Sequence, residues 1–75
     1  MQPFASAIEA TLAAHPEQVA AWLANRPGAW GYLAGQAVLV ARREQDRRLS
    51  EPERRRVWEL LWGRLLALRE DDSTA

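Results

Sequence analysis

Leu49-Ser50-Glu51-Pro52-Glu53-Arg54-Arg55-Arg56-Val57-Trp58-Glu59-Leu60-Leu61-Trp62-Gly63-Arg64-Leu65-Leu66 decides the fold. Ser50 and Glu53 have S-x-x-E spacing directly before an apolar run. That is a capping box. The serine hydroxyl accepts from the N–H three residues on, and the glutamate accepts from the serine's own N–H. The spacing predicts a helix over 51–69. On a helical wheel, Val57, Trp58, Leu61, Trp62, Leu65, Leu66 and Leu68 cover an arc of about 180°, where a surface helix needs roughly 100°. The i, i+4 pair Trp58 and Trp62 reads first as core. The surplus edge around Trp62 and Leu66 reads as a partner interface, because tryptophan is enriched where proteins dock. Residues 70–75 read as a frayed acidic end, with 71–75 as a disordered tail.

Upstream, a third helix is expected over 29–47. Trp30, Leu33, Ala34, Ala37, Val38, Val40 and Ala41 share its core side. Tyr32, Gln36, Leu39 and Arg43 share the opposite side. Gly31 and Gly35 fall between the two. A helix-interior glycine costs about 1 kcal/mol against alanine, so these two predict either close packing against another backbone or a backbone groove that lets RNA phosphate approach closely. Asn25-Arg26-Pro27-Gly28 is turn chemistry. It closes a short second helix over 16–25, whose apolar face is Val19, Trp22 and Leu23. Pro16 suits the first position of that helix and stops the one before it. The first helix, over 3–14, lines up Phe4, Ile8 and Leu12. The expected fold is all-α: one compact domain over 1–70, a bundle of two short helices and two long antiparallel ones.

The chain has 75 residues, no cysteine and one histidine. A chain this short needs dense packing, a partner, or both. No disulfide or cysteine-based metal site is possible, and one histidine builds no metal site alone. Nearly a third of the residues are alanine or leucine, both strong helix formers. No run approaches the ~18 apolar residues of a membrane span, and Met1-Gln2-Pro3-Phe4 lacks the charged start of a signal peptide. A cytoplasmic protein without a membrane anchor is the expectation.

Net charge is zero, but its distribution is uneven. All ten basic residues are arginine; nine lie from Arg42 to Arg69, against five acids in that stretch. Arginine suits bidentate phosphate or carboxylate contacts, although an arginine-only chain is also what a GC-rich genome produces. Tyr32, Gln36 and Arg43 put an aromatic, an amide and a guanidinium on one helix side. Such a set can stack on and hydrogen-bond RNA, or be an ordinary solvated face. Arg54, Arg55 and Arg56 read either as a phosphate-contacting patch with Arg47 and Arg48 or as a solvated face with local ion pairs.

Catalysis needs a nucleophile or an acid/base pair at a pocket. His15, Ser6, Ser50, Ser73, Tyr32 and the carboxylates form no such constellation. His15 reads as a cap or surface residue, and Ser50 is used by its cap. No enzyme activity, cofactor, metal or small-molecule substrate is expected.

The stretch from His15 to Gln36 resembles the C-terminal tail domain of the B subunit of the tRNA-dependent amidotransferase, the GatB/YqeY family. That family has an Asn-Pro-x-x-Val start and a Gly-Phe-Leu-x-Gly-Gln core followed by Val-Met. Pro16, Val19, Gly31, Tyr32, Leu33, Gly35 and Gln36 occupy the matching positions. Pro52, Val57, Leu60 and Leu61 look like the family's closing Asn-Pro-x-x-Val-x-x-Leu-Leu segment. The likeness spans about Ile8 to Leu66. It departs after Gln36, where the family has a lysine and then Lys-Gly; here Val38, Leu39 and Ala41 follow, and Arg42, Arg43, Arg47 and Arg48 come about a turn later. The resemblance implies a non-catalytic helical module that contacts tRNA; together with the local basic excess it gives Tyr32, Gln36, Arg42, Arg43, Arg47, Arg48 and Arg55 as the expected contacts. The other expectation is a protein-interaction module, a homodimer or an adaptor on a larger enzyme, built on Trp58, Trp62 and Leu66.

Overall fold

The computed structural model describes residues 4–74. Among them every regular element is helical: α1 (Ala5–Ala14), α2 (Pro16–Leu23), α3 (Ala29–Gln45) and α4 (Glu51–Thr74). This is the expected four-helix, all-α bundle. Pro3, placed in the first helix by the sequence pattern, lies outside the described residues. No helix among those described is long and apolar enough to cross a membrane.

Two helices end two residues earlier than the pattern predicts, for the same reason. At the end of α2 the Asn25 N–H donates to the Trp22 carbonyl at 2.9 Å and the Arg26 N–H to that of Ala21 at 2.9 Å. At the end of α3 the Asp46 N–H donates to Arg43 at 3.3 Å and the Arg47 N–H to Arg42 at 3.2 Å. Each is the paired closure of a Schellman motif, which needs one left-handed residue. Asn25 (φ 60°) and Asp46 (φ 55°) supply it, as short polar side chains tolerate that region best after glycine. Gly28 (φ 87°) then turns the chain into α3. The start of α4 is the capping box: the Ser50 N–H donates to Glu53 Oε1 at 2.8 Å, and the Glu53 N–H to Ser50 Oγ at 3.3 Å. α4 does not end at Arg69. It continues through Thr74, because neither glycine nor proline follows Arg69 to break it.

The core is Phe4, Ala7, Ile8, Trp22, Ala29, Leu33, Ala34, Ala37, Ala41, Val57, Leu61 and Leu65. α1 lies against α3, where Ala7, Ala37 and Ala41 have no exposed surface. Alanines, not glycines, therefore sit at the tight helix contact. A Cβ added at Gly31 or Gly35 would meet nothing within 4 Å, which corrects the expectation of close backbone packing there. Both face the open groove between α3 and α4. α3 and α4 run antiparallel: Trp30 at the start of α3 meets Trp62, while Val38 and Arg42 lie beside Arg54 at the start of α4.

The reading of Trp58 and Trp62 as core is also corrected. They are 39% and 45% exposed, and Leu66 is 37% exposed. Val57, Leu61 and Leu65 fill the interior instead. α4 has neighbours on one side only, so an apolar arc twice the usual width leaves half of itself uncovered.

Candidate functional site

α3 carries two exposed faces. The first runs from Tyr32 through Gln36 and Leu39 to Arg43. Its separation from Tyr32 to Arg43 is roughly 16 Å at 1.5 Å per residue. Tyr32 is held from behind. Its hydroxyl lies 3.4 Å from His15 Nδ1, and the two rings meet edge to face with centroids 5.1 Å apart. This explains His15, which makes no side-chain cap to α2 and instead braces the tyrosine. Tyr32 keeps 41% of its surface exposed, enough to present part of the ring. Gln36 is half-buried and Arg43 exposed.

At the far end of this face the α3–α4 turn gathers arginines. One concavity is lined by Leu39, Arg42, Arg43, Asp46 and Arg47, and another by Val38, Arg42, Arg48, Leu49 and Arg54. Arg42 belongs to both. These guanidiniums are not equally available. Arg47 forms a two-pronged pair with Glu53, at 2.8 and 2.6 Å. That pair, together with the Ser50 N–H, pulls the Glu53 carboxyl down to about 2 and raises the Arg47 guanidinium above its ordinary value. Arg54 and Arg55 both lean on Glu51, at 3.2 and 3.5 Å, and Arg56 on Glu59 at 3.3 Å. Among the described residues, Arg42, Arg43 and Arg48 alone of the seven arginines from 42 to 56 make no ion pair. The predicted set of Tyr32, Gln36, Arg42, Arg43, Arg47, Arg48 and Arg55 thus divides. Arg42, Arg43 and Arg48 make no ion pair among the described residues, whereas Arg47 and Arg55 are engaged by acids on α4.

The second face is apolar. Trp30, Gly31, Ala34, Gly35, Val38, Leu39, Arg54 and Trp58 enclose a groove of about 420 Å³ between α3 and α4. The absent side chains of Gly31 and Gly35 keep its floor low. Trp62 packs edge to face against Trp30 (5.3 Å) and Trp22 (5.6 Å). Beyond it the Arg69 guanidinium lies 4.0 Å from the centre of the Trp22 ring and donates to the Trp22 carbonyl and to Asn25 Oδ1. This clip of Arg69, and the Arg64–Glu9 pair at 2.7 Å between α4 and α1, were not legible in the sequence. Their partners lie 44 and 55 residues away, beyond any local spacing rule.

No family model, curated protein or solved structure matches this chain. Among the described residues no group of three or more metal-ligating side chains converges.

Proposed function

We propose that the chain is a non-catalytic RNA-binding module for a structured RNA of the tRNA class. The observation that carries this reading is the trio Arg42, Arg43 and Arg48, which make no ion pair among the described residues although acids engage four other arginines around them. The trio lies at the end of the exposed Tyr32–Gln36–Arg43 strip. Phosphates are the natural counter-charge for guanidiniums left open in this way. Tyr32 and Gln36 add a ring and an amide for an unstacked base. The resemblance to the amidotransferase tail domain supports the same face.

Anisotropy titration with bulk tRNA tests it. Three phosphate contacts give a slope of about −2 to −3 in log affinity against log salt. Affinity then falls roughly thirty-fold between about 50 and 200 mM salt. Combining Arg42→Ala with Arg43→Ala removes most of that slope, while Arg55→Ala changes little. No binding at about 50 mM salt, or binding indifferent to the double substitution, removes the proposal. The exposed edge of Trp58, Trp62 and Leu66 favours a second reading, a protein-interaction surface on a different side of the fold.

A further inference from the structure

We infer that α4 is the seam of a two-fold symmetric dimer, pairing antiparallel with α4 of a second copy. The inference narrows the protein-interaction reading to one occupant and is independent of RNA binding.

The argument starts from the order of residues along α4. Arg54, Arg55 and Arg56 precede the exposed stripe Trp58, Trp62 and Leu66, and Glu70, Asp71 and Asp72 follow it. Basic, apolar, acidic is a pattern that matches itself when reversed. A two-fold axis through Trp62 sets Trp58 of one copy level with Leu66 of the other, since each lies four residues from Trp62. It likewise sets the basic start of each α4 beside the acidic end of its mate. An isologous contact requires this self-complementarity.

The flanks agree. On a wheel of 100° per residue, Arg55 and Glu70 fall on the same flank of the stripe as Leu66, so each Arg55 meets the second copy's Glu70. The Arg55–Glu51 pair within one chain is long, at 3.5 Å, with both side chains more than 60% exposed; little is lost in exchanging it. The like-charge encounters in this register are Arg69 with the second copy's Arg54 and Arg55, relieved because Arg69 is folded onto Trp22 and Asn25, and Glu51 with the second copy's acidic end, offset by Arg54, which stays paired to Glu51. Zero net charge means the two copies approach without long-range repulsion. Covering the stripe also removes the most exposed tryptophans of a chain whose own core is small.

Sedimentation equilibrium of the full chain, with circular dichroism to confirm folding, tests the pairing. The wild type sediments as a dimer, and Leu66→Glu shifts it to monomer, weakening association at least tenfold, with helicity retained. Arg55→Glu and Glu70→Arg each weaken association, and together they restore it. That rescue cannot come from loss of fold. A wild type that stays monomeric up to about 1 mM overturns the inference and leaves the edge to another protein. A dimer indifferent to Leu66→Glu and to both charge reversals overturns it as well, by placing the interface elsewhere. Neither result bears on tRNA titration.

Discussion

At the scale of single residues, Glu53 has the most to do. It accepts from the Ser50 N–H, fixing the start of α4, and grips Arg47 just beyond the end of α3. One carboxylate thus spans the turn between the two long helices. Its folded value of about 2 lies below the roughly 4.3 of an unfolded glutamate. The stabilisation from this group is therefore complete above the unfolded value and is lost as pH falls from about 4.3 through about 2. Chemical denaturation at stepped pH is expected to show an acid limb in that window, and Glu53→Gln should flatten it. Ser50→Ala removes the reciprocal half of the box and should cost about 1 kcal/mol, read by the same denaturation at neutral pH.

At the scale of helices, how much was legible depended on how local the cause was. The start of α4 was readable to the residue because both partners of its cap lie within four positions. The ends of α2 and α3 were misplaced by one turn fraction because Asn25 and Asp46 act through backbone conformation, which composition shows only faintly. The arginine site was half legible. The sequence placed all seven guanidiniums near one another, but which of them Glu51, Glu53 and Glu59 would claim depends on side-chain reach across the turn. The close-packing reading of Gly31 and Gly35 failed, since a helix-interior glycine predicts a close neighbour only if another element packs directly over it, and nothing lies within 4 Å there. A testable consequence belongs to this scale. With open space above each and helical backbone beneath, Gly31→Ala and Gly35→Ala should each stabilise the fold by about 0.5–1 kcal/mol, seen as a higher denaturation midpoint. A loss of stability would show that the groove is tighter than described.

At the scale of the molecule, stability is thin. A chain of 75 residues holds about 4–11 kcal/mol in total, and truncating one fully buried leucine costs about 2–5 kcal/mol. Leu61→Ala is therefore expected to leave a large unfolded fraction at 37 °C, visible as lost helicity, while Arg64→Ala, which breaks the exposed pair to Glu9 and an attraction to Asp71, should cost under about 1 kcal/mol. The placement of charge along α4 has a different kind of consequence. Arg54, Arg55 and Arg56 outweigh the acidic first turn of Glu51 and Glu53, and Glu70, Asp71 and Asp72 close the helix, so its side-chain charge runs from net positive to net negative, the same sense as the partial charges of the helix itself. The two add, so a chain with no net charge behaves as an electrical dipole. Dipolar molecules cohere in the absence of mobile ions and are shielded by them. Solubility should accordingly rise with the first additions of salt, a salting-in that an uncharged sphere would not show. Two copies paired antiparallel along α4 would cancel that moment along the helix and flatten the response.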